Sequence, residues 1–553
     1  MKFVEIKEEE YLEFFKWILE KEDVKLSKEL DILLASSYDE PYIYYTEQIE
    51  EFFNTTPMQR IGQINQLGTS INLNDNAYHT RLDHCKGSYK NALDFWVLKC
   101  KDSKYREKID NSVNKSHKKN LILADIMEMA RHDDCHTMLS HALEGLICNG
   151  KADHEDIGKR ILLENKEYRV ALDSIRDGLY QTMCDNAIND NTAFKLLREG
   201  NTDFDRMDYI MRDLLYLGLP YSRELIENLI RNCNIKEIEI NGESQEVPVY
   251  TVEGLRYVEK FLETRKIGYE MEYSSKERKV LDSAVKYLCI EVAKNDTIES
   301  KFIRNAVKNY MQENIEDINL ESFLQTNDIR LYTEILDIAM HSKNKDLKEL
   351  AILSLPSTTA LLQLGVEMLN TKQRGKDLDK YSSYELDYIK KLKELREPNN
   401  TLRERIENEN KRKLFTATNY DSEEKLYEVE ERIKQILGIE EVSKGGIIIW
   451  NKRLKTYKED EPIYAETEDG KIYTLDEHPN LSIDISSENL MGIAIIPSVL
   501  KLSGYDEATI EKLEKVIQEN STKQENNEHP KAQNRMSKYQ TGKTPYLIGF
   551  EEK

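Results

Sequence analysis

The chain has 553 residues, with 79 Lys and Arg against 102 Asp and Glu, a formal net charge of −23 and a pI near 5.1. So acidic a balance excludes a surface built broadly for nucleic acid, because neutralising phosphates takes clustered Lys and Arg, and it leaves room only for local basic pockets. The length suits a large core with an appended unit, and the seven cysteines, an odd number without C-x-x-C spacing, point to reduced thiols rather than a disulfide framework.

In chain order, the first ten residues hold no apolar leader-like stretch, and no run approaches about 18 consecutive apolar residues, so a cytoplasmic protein without a membrane span is expected. From Glu8 to about Cys233 the spacing predicts mostly helix with few strands; Tyr11, Phe14, Phe15, Ile18 and Leu19 recur three and four apart. The Tyr-rich stretch from Tyr38 to Tyr45 reads as packing material, and residues 121–130 form a helix leading into His132. Residues 235–250 alternate apolar and polar side chains around Asn241-Gly242, which predicts a hairpin. Helical spacing resumes at Val252 and runs to about Leu395, where residues 396–400 supply a breaker cluster and a boundary near Glu397. Beyond it a charged helix over about 422–437, strand-like runs at 446–450, 463–467 and 493–496, and a helix from Asp506 to about Glu519 predict a small α+β unit. Lys and Arg between 402 and 413 alternate with Glu, as on a solvated helix, while Trp96 and Trp450 read as core. From Asn520 to about Thr544 the chain is too polar to offset ordering entropy, so a mobile tail is expected.

Seven of the ten histidines fall between His79 and His154. Among them His132-Asp133 is followed by His136 and His141, His84 stands upstream, and Asp205 lies in a separate acidic run. Imidazole mixed with carboxylate suits first-row divalent metals, whose open positions take water or substrate oxygen. His132 and His136, four apart, share a face if their helix continues, but the adjacent His132 and Asp133 reach one ion only if the helix ends or distorts there. The competing readings are a surface imidazole at His84 and an ordinary Asp205–Arg206 pair on a solvated face. A nucleophilic thiol at Cys135 explains the cluster less well than metal ligation does. Together these residues read as a metal-assisted hydrolase.

The ordered set Thr80-Arg-Leu-Asp-His84, His132-Asp133-x-x-His136-x-x-x-x-His141, His154-Glu155 and Asp203-x-Asp205-Arg-Met-Asp-Tyr209-x-x-Arg-Asp213 resembles the HD-domain deoxynucleoside triphosphate triphosphohydrolases, which include bacterial dGTPases and the mammalian SAM-and-HD-domain dNTPase. The likeness spans about residues 39–295, with an opening helix at Thr56 to Gly68. It implies an HD core, and with the elements read above the expected fold is mainly α: an N-terminal helical segment at 1–38, the HD core with its helical extension over 39–396 and a short hairpin, an α+β appendage at 397–519 and a tail at 520–553. By position it implies His84, His132, Asp133 and Asp205 as ligands of iron, manganese, magnesium or zinc. His136 would act on the scissile phosphoester, with Glu144 as its orienting acid. Arg81, Arg206, Tyr209, Arg265, His141 and His154 would surround the triphosphate, Gln66 and Asp213 would meet the sugar 3′-hydroxyl, and Tyr273 would stack near the base.

Those residue types suit the chemistry. An acidic protein can hold a triphosphate only where Arg, His and metal gather, and guanidinium offers paired donors to phosphate oxygens. His136, with an ordinary pKa of about 6.5, is expected to protonate the leaving sugar oxygen. Cys135, Thr137 and Met138 depart from the family's small-residue and Pro-Phe pattern after His-Asp. The partners implied are a deoxynucleoside triphosphate substrate, with a nucleotide activator and a homo-oligomeric assembly among the candidates. Two alternatives stand beside this reading: an HD-type nucleotide monophosphatase or cyclic-nucleotide phosphodiesterase, and a non-catalytic nucleotide sensor.

Overall fold

The computed structural model describes residues 6–31, 42–189, 194–240, 242–295, 300–369, 381–397, 400–407, 415–440, 446–454, 461–477 and 488–519. The expected tail from Asn520, Tyr38 to Pro41 of the Tyr-rich stretch, Asn241 of the hairpin turn and most of the charged run after Glu407 lie outside those residues.

The mainly α architecture with small β parts follows from the apolar spacing, and side-chain caps decide where the helices around the site begin. Thr80 accepts from the backbone N–H of Asp83 while the Asp83 carboxylate accepts from that of Thr80, which starts the Arg81–Cys100 helix. Asp153 opens His154–Glu164 with the same reciprocal box. Asp203 caps Phe204–Tyr216 through the Arg206 N–H. Arg81, His154, Asp205 and Arg206 thereby all stand in the first turns of capped helices, where backbone N–H groups favour anions.

The Arg81–Cys100 helix packs against both Lys115–Arg131 and Phe204–Tyr216. At the second crossing Gly87 carries the contact: a Cβ there would overlap Asp208 Oδ1 and Arg212 Nη2. One apolar core runs from Tyr11 of the Glu8–Leu19 helix through these helices to Val499. Trp96 and Trp450 are buried as expected. Among the described residues no single helix is long and apolar enough to cross a membrane.

The sheets differ from the expectation of few strands and one isolated hairpin. Strands β1 (Leu26–Leu30) and β2 (Tyr42–Thr46) form an antiparallel pair in the region predicted as helix, with Leu26 opposite Thr46. Burial alternates from Tyr42 to Tyr45 along β2, a two-residue period that the run of aromatics obscures in the sequence. The hairpin β3 (Cys233–Ile240) and β4 (Glu243–Tyr250) is present, in register Cys233 to Tyr250. It continues as a four-stranded sheet in the order β3-β4-β7-β8, because β7 (Tyr464–Glu466) pairs in parallel with β4 and β8 (Ile472–Thr474) pairs with β7. The run expected at 463–467 therefore belongs to the hairpin's sheet. The rest of the C-terminal part forms the antiparallel sheet β5-β9-β6, made of Thr416–Tyr420, Glu488–Ile495 and Ile447–Leu454. Helices Glu423–Leu437 and Glu507–Glu519 cover it, and Val429, Ile433, Ile493 and Leu513 form its separate core.

Candidate active site

The Lys115–Arg131 helix stops at the point where adjacent His132 and Asp133 need it to: His132 is its C-cap, and the following residues turn, with the Asp134 N–H bonded to the Arg131 carbonyl at 2.8 Å. Both side chains thus turn towards His84 and Asp205. His84 Nε2 lies 3.0 Å from His132 Nε2 and 2.9 Å from Asp205 Oδ1, and His132 Nε2 lies 3.3 Å from the same oxygen. Asp133 adds Oδ2 at 3.5 Å from His84 Nε2 and Oδ1 at 3.7 Å from His132 Nε2. Two imidazoles and two carboxylates from three helices and a turn therefore converge.

The opposite ring nitrogens are anchored. His84 Nδ1 meets Asp208 Oδ2 at 2.9 Å, and His132 Nδ1 donates to the Met129 carbonyl at 3.0 Å. Such partners fix the tautomer and leave both Nε2 lone pairs facing the shared space, which is the arrangement a bound cation requires. Asp208 is itself held by Arg212, which in turn pairs with Asp31 beyond β1 at 2.8 and 3.0 Å. Burial disfavours charge on His84, yet Asp205 and Asp208 outweigh it and raise its pKa; the half-buried Asp205 is held far below the usual carboxylate range by the two imidazoles. These residues fit a divalent metal of the kind expected.

Beside this quartet stands a second imidazole group. His136 stacks on His154 with centroids 4.0 Å apart and meets His141 edge-on at 4.7 Å. Its Nε2 is 3.0 Å from Asp133 Oδ1, while its buried Nδ1 has no hydrogen-bond partner among the described residues. Glu144 does not touch His136 as expected. Its two oxygens hold His141 Nδ1, at 2.6 Å, and His154 Nδ1. Burial, Arg81 and His154 push the His136 pKa well below its ordinary value. For His154 burial acts the same way, but Glu144 more than compensates and the pKa rises. Within this group burial lowers the pKa of His136 and His141, whereas Glu144 raises that of His154.

Arg81 pairs with Asp133, and its Nε donates to Ser140 Oγ at 3.0 Å. Arg206 is turned towards the Gly200 carbonyl, Asp203 and, at 3.3 Å, Glu461 from the segment leading into β7. Arg265 is buried, with Nη1 3.3 Å from Asn201 Oδ1 and its guanidinium 5.6 Å from the Tyr269 ring. A π-helical turn, Tyr269–Tyr273, ends the Leu255–Gly268 helix and brings Tyr273 to 6.0 Å from Tyr209. Tyr273 donates to Asp213, whose other oxygen is 2.7 Å from His79 Nε2. The Gln66 N–H bonds the His79 carbonyl at 2.9 Å, and its buried Oε1 has no partner among the described residues. Gln66, Asp213 and Tyr273 are therefore linked through His79.

Sequence reasoning missed His79, Asp208, Ser140 and Glu461. Asp208 carried a signal, since it follows Asp205 by three residues in one helix, and His79 adjoins a motif already singled out. Ser140 and Glu461 depend on long-range packing. Burial pushes the Cys135 thiol well above its ordinary pKa, which disfavours the thiolate that a nucleophile needs.

No family model matches the chain. It is 27% identical over 237 residues to the uncharacterized protein YwfO of Bacillus subtilis, covering 42% of this chain and 49% of that one. It is 26% identical over 295 residues to the uncharacterized protein MJ1154 of Methanocaldococcus jannaschii, covering 53% and 55%. The chain thus spans about half the length of the curated relatives it matches. Among solved structures it is similar in fold to a phosphohydrolase, BT4208, from Bacteroides thetaiotaomicron, with a TM-score of 0.55, 17% identity and coverage of 85% of this chain and 99% of that one. A hypothetical protein from Aquifex aeolicus gives 0.52, 18%, 88% and 100%. The fold is shared with a phosphohydrolase, and the His/Asp groups have the donor atoms to hold a metal ion.

Proposed function

We propose that this protein hydrolyses deoxynucleoside triphosphates to the deoxynucleoside and inorganic tripolyphosphate in a metal-dependent reaction. The observation that carries the reading is the convergence of His84, His132, Asp133 and Asp205 beside Arg81 and the His136, His141 and His154 group, on an otherwise strongly acidic chain. The phosphohydrolase fold of the Bacteroides neighbour agrees with it.

His84, His132, Asp133 and Asp205 would hold the cation. Bound there, it supplies Lewis acidity towards a phosphoryl oxygen and a lowered pKa for water. The chain's own groups supply the rest. Arg81 and Arg265 offer fixed charge to the triphosphate, and the first turns of the capped helices add N–H donors. Water attacks the α-phosphorus, the bond to the sugar 5′ oxygen breaks, and that oxygen takes a proton. His154 is the donor: Glu144 holds its Nδ1 and favours the imidazolium, leaving the Nε2 proton available. Neutral His136, stacked beneath it, offers its unpartnered Nδ1 as an acceptor. Gln66 and Asp213 take the sugar 3′-hydroxyl, Tyr209 meets the triphosphate, and Tyr273 lines the nucleoside side.

Tripolyphosphate release from each of the four dNTPs, with iron, manganese, magnesium and zinc supplied separately, tests the reading. Turnover of monophosphates or cyclic dinucleotides alone would overturn it. One observation favours that second reading: the Arg206 guanidinium is already engaged by Asp203 and Glu461. Arg206→Ala decides between them, since a triphosphate enzyme loses activity and a monophosphatase keeps it.

A further inference from the structure

Helices Lys301–Tyr310, Leu320–Leu324 and Asp328–His341 enclose a cavity of about 440 Å³ whose lining residues differ from every residue assigned above. This volume lies in the range of small-molecule sites. Lys301, Lys308 and Arg330 line it together with Asn, Gln, Ser and Thr side chains, and no Asp or Glu is among the lining residues. On a chain with 102 acidic residues, such a wall is a local concentration of positive charge. Neither lysine makes an ion pair among the described residues. Phe302, the sole aromatic in the lining, is covered by the Arg330 guanidinium at 4.3 Å, so the lining presents no bare ring on which a base would stack.

The floor of this cavity reaches the catalytic loop. Thr326 faces the cavity and also accepts from Arg60, whose Nε donates to the Thr326 carbonyl at 2.8 Å and whose Nη2 lies 3.3 Å from Thr326 Oγ1. The same buried guanidinium donates to the carbonyls of His136 at 2.6 Å and Asp134 at 3.3 Å. Two residues on, Asp328 accepts from the N–H of Leu139 at 2.7 Å and of Asn65 at 2.8 Å. Leu139 and Ser140 hold positive φ angles of 54° and 55°. Non-glycine residues remain in that region only where their surroundings enforce it, and Asp328 is one of the groups enforcing it here. Residues 326–328 therefore form a strap with an anion-receptive cavity on one side and the backbone of His136 to Ser140 on the other.

We propose that this cavity is an effector site for an inorganic phosphoanhydride anion, diphosphate or tripolyphosphate, and that its occupancy steadies the catalytic loop through Thr326, Arg60 and Asp328. The cations call for an anion with several oxygens, and the covered ring disfavours a nucleotide. The name catalytic for the loop of His136 to Ser140, and the identification of this anion with the enzyme's own product, rest on the proposed function; the binding and the coupling to that loop do not.

The test uses the full chain, stripped of metal and carrying Arg265→Ala to weaken binding at the catalytic pocket, with sodium tripolyphosphate as probe. Calorimetry is expected to show one site whose affinity falls at least tenfold with Lys301→Ala and Lys308→Ala combined. Both lysines are exposed, so the fold is retained, and Lys308→Glu serves as a second variant. Hydrogen exchange of amides 136–140 is expected to slow on addition of probe and to stop responding in the double variant. Undiminished binding in both variants overturns the site, as does ADP binding more tightly than tripolyphosphate. Binding without any change in exchange overturns the coupling. None of these readouts depends on turnover, so a failure to release tripolyphosphate from dNTPs leaves the binding result standing.

Discussion

Two histidine clusters share a wall in this molecule, and by donor atoms alone either could hold a metal: His84, His132 and Asp205 form one such group, and His136, His141 and His154 the other. What separates them is anchoring and charge. In the first, both Nδ1 atoms are bound from behind and two carboxylates converge with the free Nε2 atoms, so a cation finds ligands and compensating negative charge together. In the second, the acid stands behind the rings: Glu144 takes two Nδ1 atoms, and His136 Nε2 is already committed to Asp133. That group presents imidazole edges without converging carboxylates, which suits proton transfer and phosphate contact. Counting histidines does not distinguish a metal site from an acid–base site; the second atoms behind the rings do.

The contrast breaks most readily at the ligands. Asp205→Ala or His132→Ala is expected to abolish metal content, read by elemental analysis of pure protein, and to cut turnover by about 10³ or more. His154→Ala is expected to lower turnover by about 10²–10⁴ while metal content stays at the parent level. Loss of metal in that variant would merge the two clusters into one site. A smaller effect comes from behind the rings: Asp208→Asn should weaken metal binding by about 10–100-fold in a competition titration. Gly87→Ala should act in the same direction, because its methyl group displaces Asp208.

The smallest effect is on stability. His154 has a raised pKa in the folded protein, so its pairing with Glu144 contributes fully below the ordinary histidine pKa and is lost as pH rises through the raised value. Glu144 has a strongly lowered pKa, so its own contribution disappears only in acid. Glu144→Gln should therefore cost on the order of 1 kcal/mol at pH 6 and less at pH 9. A thermal-melting difference that stays constant across this interval would remove the charge from the pair.

Much of the metal cluster was legible because each ligand sits next to a local signal. His84 follows Thr80 by four residues, just past a cap box; Asp205 follows the Asp203 cap by two; and adjacent His132 and Asp133 required a helix end that the structure supplies. Glu144 contacts His141 and His154 where the sequence pointed to His136, because the folded loop between Leu139 and Gly150 brings His154, ten residues away, against it. The β7 strand was legible as a strand and not as a neighbour of β4, since a strand's pattern records which faces are buried and not which strand it pairs with. The Arg206 to Glu461 contact follows from that pairing.

The order of His, Asp and Arg along the chain was enough to name a mainly α fold and to single out the His/Asp residues that the structure brings together, because helix spacing and capping act over a few residues. Which nitrogen each ring presents, which way each imidazole's pKa moves and which acid engages each guanidinium were decided by packing. Those properties depend on dielectric surroundings and on partners such as Asp208, Arg81 and Glu461, which long-range contacts alone bring into place.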